Sequence, residues 1–328
     1  MSNIKRILIT GESGFIGSHL INYFVSKYPD YQIHGLDMLT YASDRTYTKM
    51  LEKNKNYFFH KIDIFNRKEI INLFAKYSFT DVIHLAAESH VDNSINNPLL
   101  FANTNIIGTL NILDAFKAYS KGRFHHVSTD EVYGDLNFSD PAFTENSPYN
   151  PSSPYSASKA ASDHLVRSYH KTYGIDVIIT NCSNNYGPHQ YIEKFIPTVL
   201  ASIYNNQKIP IYGNGSNVRD WLYVLDHVLA LDLIFHKSSP GKTYNIGADN
   251  EISNLNLVQI ICDLCFEKKI HPNPRKLISF VSDRLGHDRR YAIESKLLRS
   301  ELKWKPKYNF NNAISETIDW YIEKFSKR

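Results

Sequence analysis

The sequence predicts an α/β protein: a doubly wound parallel sheet followed by a smaller α/β region on the C-terminal side. Three observations carry that reading. Short runs rich in β-branched residues alternate with amphipathic stretches of helical period. The runs are apolar along their whole length rather than on every second residue, as in strands covered on both faces. Beyond residue 182 the composition shifts towards Asn, Pro, Gly and Tyr.

In chain order, "RILIT" (6–10) is the first strand, Phe15 to Tyr28 the first helix and "IHGLD" (33–37) the second strand. "DVIHLAA" (81–87) and "RFHHVST" (123–129) follow after amphipathic segments, and "DVIITNC" (176–182) ends the alternation. The expected division is a sheet domain over 1–183 and a second region over 184–328, with a segment near 218–248 returning to the sheet. In the second region "SNNYGPHQYIEKFIP" and "IPIYGNGSN" read as loops lining a site.

A chain of 328 residues with 42% hydrophobic content can bury a large core. Its net charge of +4 is spread among scattered Lys and Arg without a basic run, so neither nucleic acid nor a membrane surface is an expected partner, while an anionic small molecule is admissible. "MSNIKRILITG" carries no signal-peptide pattern, and no stretch reads as the roughly 20 apolar residues of a membrane span, so a cytoplasmic setting is expected. Three cysteines argue against a disulfide framework. Cys262 and Cys265 form a C-x-x-C, but Leu257, Ile260, Ile261 and Leu264 recur around them at helical spacing and no second ligand pair follows; buried helix thiols are expected, and no metal.

The first motif with a mechanism is "TGESGFIGSHL". Gly11, Gly14 and Gly17 follow the first strand and open the first helix, where a dinucleotide's pyrophosphate can approach the backbone and rest on free helix amides. Asp37 ends the second strand 20 residues after Gly17, placed to accept hydrogen bonds from the adenosine ribose and to repel a 2'-phosphate. The reading is a Rossmann-type site for NAD rather than NADP.

The second motif is "YSASK". Tyr155 and Lys159 stand one helical turn apart and share a helix face. A tyrosine near its reference pKa of about 10 is a poor base at neutral pH, and a cation about 5 Å away lowers that value by roughly two units. Ser156 to Lys159 also spells S-x-x-K, but the companion motifs of serine acyl-enzymes are absent. The third is "VSTDEVYG", which sets Asp130 and Glu131 side by side just past a strand. Either they begin a polar loop or they share acid/base work.

These strings together resemble the nucleotide-sugar branch of the extended short-chain dehydrogenase/reductases, and within it the dTDP-glucose 4,6-dehydratases. The resemblance covers nearly the whole chain, through "TGESGFIGS", "LDMLTYA", "HLAAESHVD", "TNIIGT", "VSTDEVYGD", "YSASKAASDHLV", "TNCSNNYGPHQYIEKFIP", "PIYGNGSNVRDWLYVLDH" and "RLGHDRRYAI". It implies an NAD-dependent hydro-lyase of deoxysugar biosynthesis with tightly held NAD+. Tyr155 and Lys159 would serve oxidation at carbon 4, with Thr129 bonding the same oxygen; Glu131 would be the base at carbon 5 and Asp130 the acid for the departing 6-hydroxyl. It further implies cofactor contacts at Phe15, Ile16, Asp37, Met38, Leu39, Thr40, Asp63, Ile64, Leu85, Ala86, Ala87, Thr104 and Asn185, besides the three glycines, Tyr155 and Lys159. Sugar and phosphate contacts fall on Ser89, Thr129, Asn184, Glu193 and Lys194. Pro210 and Tyr212 match the nucleobase pocket, and Arg219, Asn254, Arg284 and His287 match groups that hold the diphosphate or nucleoside. The resemblance also implies a homodimer, paired through the helix bearing Tyr155 and its neighbour.

The chain departs from the family pattern in three places. Glu12-Ser13 stands where Gly-Ala is common, Asn93 where arginine is expected, and Leu285 where proline is usual. Three readings stay open on the sequence: a dTDP-glucose 4,6-dehydratase; a UDP-glucose dehydratase or 4-epimerase on the same scaffold; and a non-catalytic nucleotide-sugar sensor. Retention of Asp130 and Glu131 speaks against the epimerase, which expels no water. Retention of all five catalytic-type residues speaks against the sensor.

Overall fold

Parallel strands whose two faces are both apolar need helices above and below, and the seven-stranded sheet of this protein is built that way. In the computed structural model, which describes residues 4–283 and 286–327, the strands are β1 (Arg6–Thr10), β2 (Gln32–Asp37), β3 (Tyr57–Lys61), β4 (Asp81–His84), β5 (Arg123–Thr129), β6 (Asp176–Cys182), β7 (Asn184–Tyr186), β8 (Ile209–Tyr212), β9 (Val218–Tyr223), β10 (Thr243–Ile246), β11 (Glu251–Ser253) and β12 (Ile278–Val281). The main sheet has the order β10-β6-β5-β4-β1-β2-β3, parallel throughout. This is the doubly wound α/β fold expected from the alternation.

The order reverses next to β1, so the chain leaves β1 and β4 on opposite sides and a crevice opens beyond their carboxyl ends. One apolar cluster fills the face made by Ile7, Ile9, Leu20, Phe24, Ile83 and Leu231; another, with Leu8, Val82, Phe116, Phe124 and Val166, fills the other face. After β6 the chain builds a separate three-stranded sheet, β11-β9-β7, and a pair, β12-β8, around a third cluster centred on Val199, Ile211, Trp221 and Ile314. Within the stretch read as returning to the first sheet, β10 pairs with β6, whereas β9 belongs to the three-stranded sheet.

Helix Pro154–Tyr173 carries the "YSASK" motif. Ser153 caps it, its hydroxyl accepting from Ser156 N at 3.1 Å while the Ser156 hydroxyl receives the Ser153 backbone N–H; Pro154 at the first position and Gly174 at the end complete the signals. Helix Asn254–Glu267 buries Cys262 and Cys265 completely, as its apolar spacing requires, and all three cysteines are free. The sequence reading saw no stretch of membrane-spanning length. The continuous helix Pro98–Tyr119, with a π-helical segment Ala102–Gly108 in its middle, does meet that length and composition, but half of its apolar window is buried within the fold. Its inner face packs on helices Arg67–Tyr77 and Pro154–Tyr173.

Candidate active site

A deep cleft runs from the glycine turn after β1 to the carboxyl ends of β5 and β6. At one end, Gly11 takes φ +73°, and a Cβ there would lie 2.8 Å from Ala86 N; a Cβ on Gly17 would lie 2.0 Å from Gly11 O. Only glycine permits the turn to fold back on itself so closely. Helix Phe15–Lys27 begins at Gly14 without a side-chain cap, which leaves its first amides for an anion. Asp37 is fixed by three donors: Ser13 N on Oδ2 at 3.0 Å, and Leu39 N and Ser43 Oγ on Oδ1 at 2.8 and 2.9 Å. The turn, the uncapped helix and the anchored carboxylate fit a dinucleotide.

Glu12 is no surface substitution. Its carboxyl is buried beneath the turn, accepting from Tyr57 OH at 2.8 Å and Ser13 Oγ at 3.0 Å, with Arg45 Nε at 3.7 Å. The departure at this position is thus absorbed by partners on β3 and on the loop after β2, and none of the three turn glycines is displaced.

At the other end, β5 delivers Thr129, and the chain turns into a short 3₁₀ helix, Asp130–Tyr133. The Thr129 hydroxyl accepts from Glu131 N and donates to Asp130 Oδ1, each at 3.3 Å. Asp130 is 2% exposed, and its Oδ2 has no hydrogen-bond partner. Burial, then the charges of Glu131 and Asp220, hold its carboxyl well above the usual carboxylate range; Arg219 opposes them. Two carboxylates this close, one of them out of water, do not both ionise. Asp130 is therefore the protonated member of the pair, and it lines the cleft.

Tyr155 is buried beside them. Burial and then Glu131 raise its phenol well above the ordinary tyrosine value, while a hydrogen bond with Thr129 works the other way. The Lys159 ammonium, one helical turn on, donates to the Val127 carbonyl at 2.9 Å, and burial lowers its pKa. Asn184 brings a buried Oδ1 without a hydrogen-bond partner to the same wall.

The cleft gathers most of the residues singled out from the sequence. Besides those described, Phe15, Ile16, Met38, Thr40, Asp63, Ile64, Leu85, Ala86, Ala87, Ser89, Thr104, Asn185, Glu193 and Lys194 line it. Leu39 does not; it serves the site through its backbone bond to Asp37, at φ 64°. Pro210, Tyr212, Arg219, Asn254 and His287 also lie off the cleft lining. Pro210 and Tyr212 alternate along β8 and share its exposed side, with the His287 ring edge-on to Tyr212 at 6.1 Å. Arg219 is buried, donating to the carbonyls of Val218 and Asp288 at 2.8 and 2.9 Å, with its guanidinium 4.2 Å from the centre of the Tyr291 ring. Asn254 opens helix Asn254–Glu267. Arg284 and Leu285 lie outside the described residues.

Glu88, Cys182, Gln190 and Tyr191 line the cleft although the sequence reading passed over them. Cys182 could have been found, because it ends β6 at the same carboxyl edge as Thr129. At the mouth, Asn93 Nδ2 donates to Tyr41 OH at 2.9 Å and Tyr41 donates to Glu193 Oε1 at 3.2 Å, so the asparagine in place of arginine joins a hydrogen-bonded link across the opening.

Residues 8–317 match the sequence pattern of the GDP-mannose 4,6 dehydratase family. The chain belongs to that family. It is 48% identical over 333 residues to a dTDP-glucose 4,6-dehydratase of Haemophilus influenzae, covering 97% of this chain and 98% of the relative. It is 46% identical over 337 residues to a dTDP-glucose 4,6-dehydratase of Salmonella typhimurium, covering 97% and 92%. Among solved structures, a dTDP-glucose 4,6-dehydratase from Streptomyces venezuelae with NAD bound superposes with a TM-score of 0.92 at 37% identity, over 98% of each chain.

A methyl group on Gly17 would force the glycine turn open. Purified Gly17→Ala should retain no dinucleotide when its denatured supernatant is chromatographed; retention at the unmutated level would contradict the close approach inferred here.

Proposed function

We propose that this chain dehydrates dTDP-glucose to the 4-keto-6-deoxy sugar and water, with NAD as a cofactor held through the whole turnover. The observation that carries the reading is Asp130: a buried carboxyl kept neutral beside Glu131, with one oxygen unpartnered, in the lining of the cleft that also holds Tyr155. An elimination needs an acid and a base side by side, and an epimerisation does not. That same pair sets this reading above the 4-epimerase and above a sensor.

Bound NAD supplies the hydride acceptor at carbon 4 and the donor that later reduces carbon 6. The protein's own groups move the protons. Tyr155 accepts the 4-hydroxyl proton, with Thr129 bonding the same oxygen. The resulting ketone acidifies the proton on carbon 5, which Glu131 removes. Asp130 gives its proton to the 6-hydroxyl, the carbon–oxygen bond breaks and water leaves; when carbon 6 takes the hydride, Glu131 returns its proton to carbon 5, and exchange with solvent removes the proton from Tyr155 and restores the one on Asp130. One hydride out and one hydride back leave the cofactor oxidised, so it need not exchange between turnovers.

The raised phenol has a consequence for timing. Without the cofactor's positive charge, burial and Glu131 keep Tyr155 protonated. It becomes a base only in the loaded site, so proton transfer is tied to the presence of the hydride acceptor.

The groups off the cleft belong to the nucleotide in this reading. Tyr212 and Pro210 offer an exposed aromatic and apolar side to the base, with His287 beside them. Arg219, buried and bonded to two carbonyls, acts on the site through its charge on Asp130. Residues 1–183, with β10 returning, hold the dinucleotide, and 184–328 hold the nucleotide sugar. The protein works as a homodimer: Ile95, Leu99, Leu100 and Ile107 stand 38%, 67%, 40% and 41% exposed along one stretch ending in helix Pro98–Tyr119, an apolar face suited to a second copy. Three free, buried cysteines suit a cytoplasmic setting, with recovery in the soluble fraction on lysis.

Asp130→Asn should still oxidise the sugar but fail to expel water, so NADH absorbance accumulates on the enzyme; elimination at the unmutated rate would refute the acid assignment. Leu99→Asp combined with Ile107→Asp should shift the light-scattering mass from dimer to monomer. An unchanged dimer would place the interface elsewhere.

A further inference from the structure

Asp163 is wholly buried, carries chemistry and has no part in the steps above. We propose that it is a positioning residue: its carboxylate holds the Lys159 charge and ties the helix bearing Tyr155 and Lys159 to the turn bearing Thr129, Asp130 and Glu131. The proposal rests on the reading of those five residues as catalytic.

Asp163 sits one helical turn beyond Lys159 and is 0% exposed. Ser128 Oγ donates to its Oδ2 at 2.9 Å, and Tyr149 OH donates to the same oxygen at 2.8 Å. Ser128 immediately precedes Thr129, so this bond joins helix to turn directly behind the carboxylate pair. Oδ1 has no hydrogen bond; His126 Nε2 stands 3.2 Å away without the alignment of one. Leaving a carboxylate oxygen buried in this way is unfavourable, and a purely structural tie would be better made by a neutral side chain. What a neutral side chain lacks is the field.

The neighbours on β4, β5 and β6 carry no charge that would cancel that field, while the Arg167 cation reaches Asp163 through Tyr149. On β5, burial and the neighbouring Lys159 lower His126 to about 4, so it is neutral at pH 7. On β4, burial keeps the His84 ring neutral as well. On β6, burial raises the Cys182 thiol to about 12, so it carries no charge. Arg167, one turn beyond Asp163, directs Nη2 to Tyr149 OH at 2.7 Å and lies 4.8 Å from the centre of that ring. Tyr133, on the 3₁₀ helix, donates to Asn245. Burial pushes Lys159 towards losing its proton, and the ionised Asp163 pushes it back. Burial would likewise neutralise Asp163, but Lys159 and the Ser128 hydroxyl bond keep it charged. A neutral Lys159 would remove the cation that stands one helical turn from Tyr155.

The test compares kcat and KM for dTDP-glucose against pH in the NAD-loaded enzyme, in Asp163→Asn and in Tyr149→Phe. Tyr149→Phe removes one bond to the carboxylate and leaves its charge. Removing the charge lets Lys159 lose its proton sooner as pH rises. The alkaline fall in kcat should therefore move down by about one pH unit or more in Asp163→Asn. KM should stay within about threefold, because the substrate is not touched. Tyr149→Phe should keep the unmutated alkaline limb. An unshifted limb in Asp163→Asn, or an equal shift in both variants, overturns the proposal. If Asp163→Asn does not fold, Lys159 is titrated by lysine-selective ¹⁵N labelling in the unmutated holoenzyme. It should hold its proton across the pH range in which the unmutated enzyme turns over, and loss within that range overturns the proposal. Failure of the unmutated enzyme to dehydrate dTDP-glucose would count against the proposed function; the lysine titration, which needs no turnover, would still decide the role of Asp163.

Discussion

A carboxyl group that is 2% exposed, next to a second carboxylate on the following residue, can carry a charge only at great cost. Most of the site follows from that one constraint at Asp130. It makes a proton donor out of a residue that is ordinarily ionised at neutral pH, and it leaves Glu131 as the charge that acts on its surroundings. That charge raises Asp130 and also Tyr155 and Tyr291. Arg219, bonded to two backbone carbonyls and therefore fixed, moderates the effect on Asp130.

The fold supplies the burial. Parallel strands covered on both faces end in a crevice where the order of the sheet reverses; β5 and β6 deliver their last residues there, and β1 and β4 the residues that follow them, Gly11 and Leu85. The glycine turn, Thr129 and Cys182 thus reach one cleft from strands far apart in sequence. Helix Pro154–Tyr173, capped at Ser153, lays Tyr155 and Lys159 against the end of β5. The second region closes the other wall with Asn184, Glu193 and Lys194. A redox cycle that returns its hydride within one turnover suits such a closed arrangement, since the dinucleotide has no need to leave.

The parts of this that could be read from the sequence are those in which a short motif sets its own geometry. Gly11, Gly14 and Gly17 between a strand and a helix require a backbone cradle, and Asp37 at the end of the next strand follows from the pitch of the βαβ unit. Tyr155 and Lys159 share a face because a helix repeats every 3.6 residues. Asp130 and Glu131 were visible as neighbours, but their opposite protonation states depend on burial, which is a property of the packed fold. Other features depend on contacts distant in sequence and left no local signal. Glu12 finds Tyr57 from 45 positions away and Asp163 finds Ser128 from 35. The separation of Tyr212 and His287 from the cleft lining comes from the β12-β8 pair, which no periodicity in the sequence announces. The link from Asn93 through Tyr41 to Glu193 joins helix Val91–Asn96 to two loops.

Elimination with a cofactor that stays bound through the turnover is the central chemical claim. The most direct measurement is to incubate the purified protein, without added NAD, with dTDP-glucose and UDP-glucose in parallel and to follow product mass. Loss of one water from dTDP-glucose alone is the predicted result. No change of mass with either sugar, even after NAD is added, would contradict the dehydratase account, and loss of water from UDP-glucose alone would overturn the base assignment while keeping the chemistry.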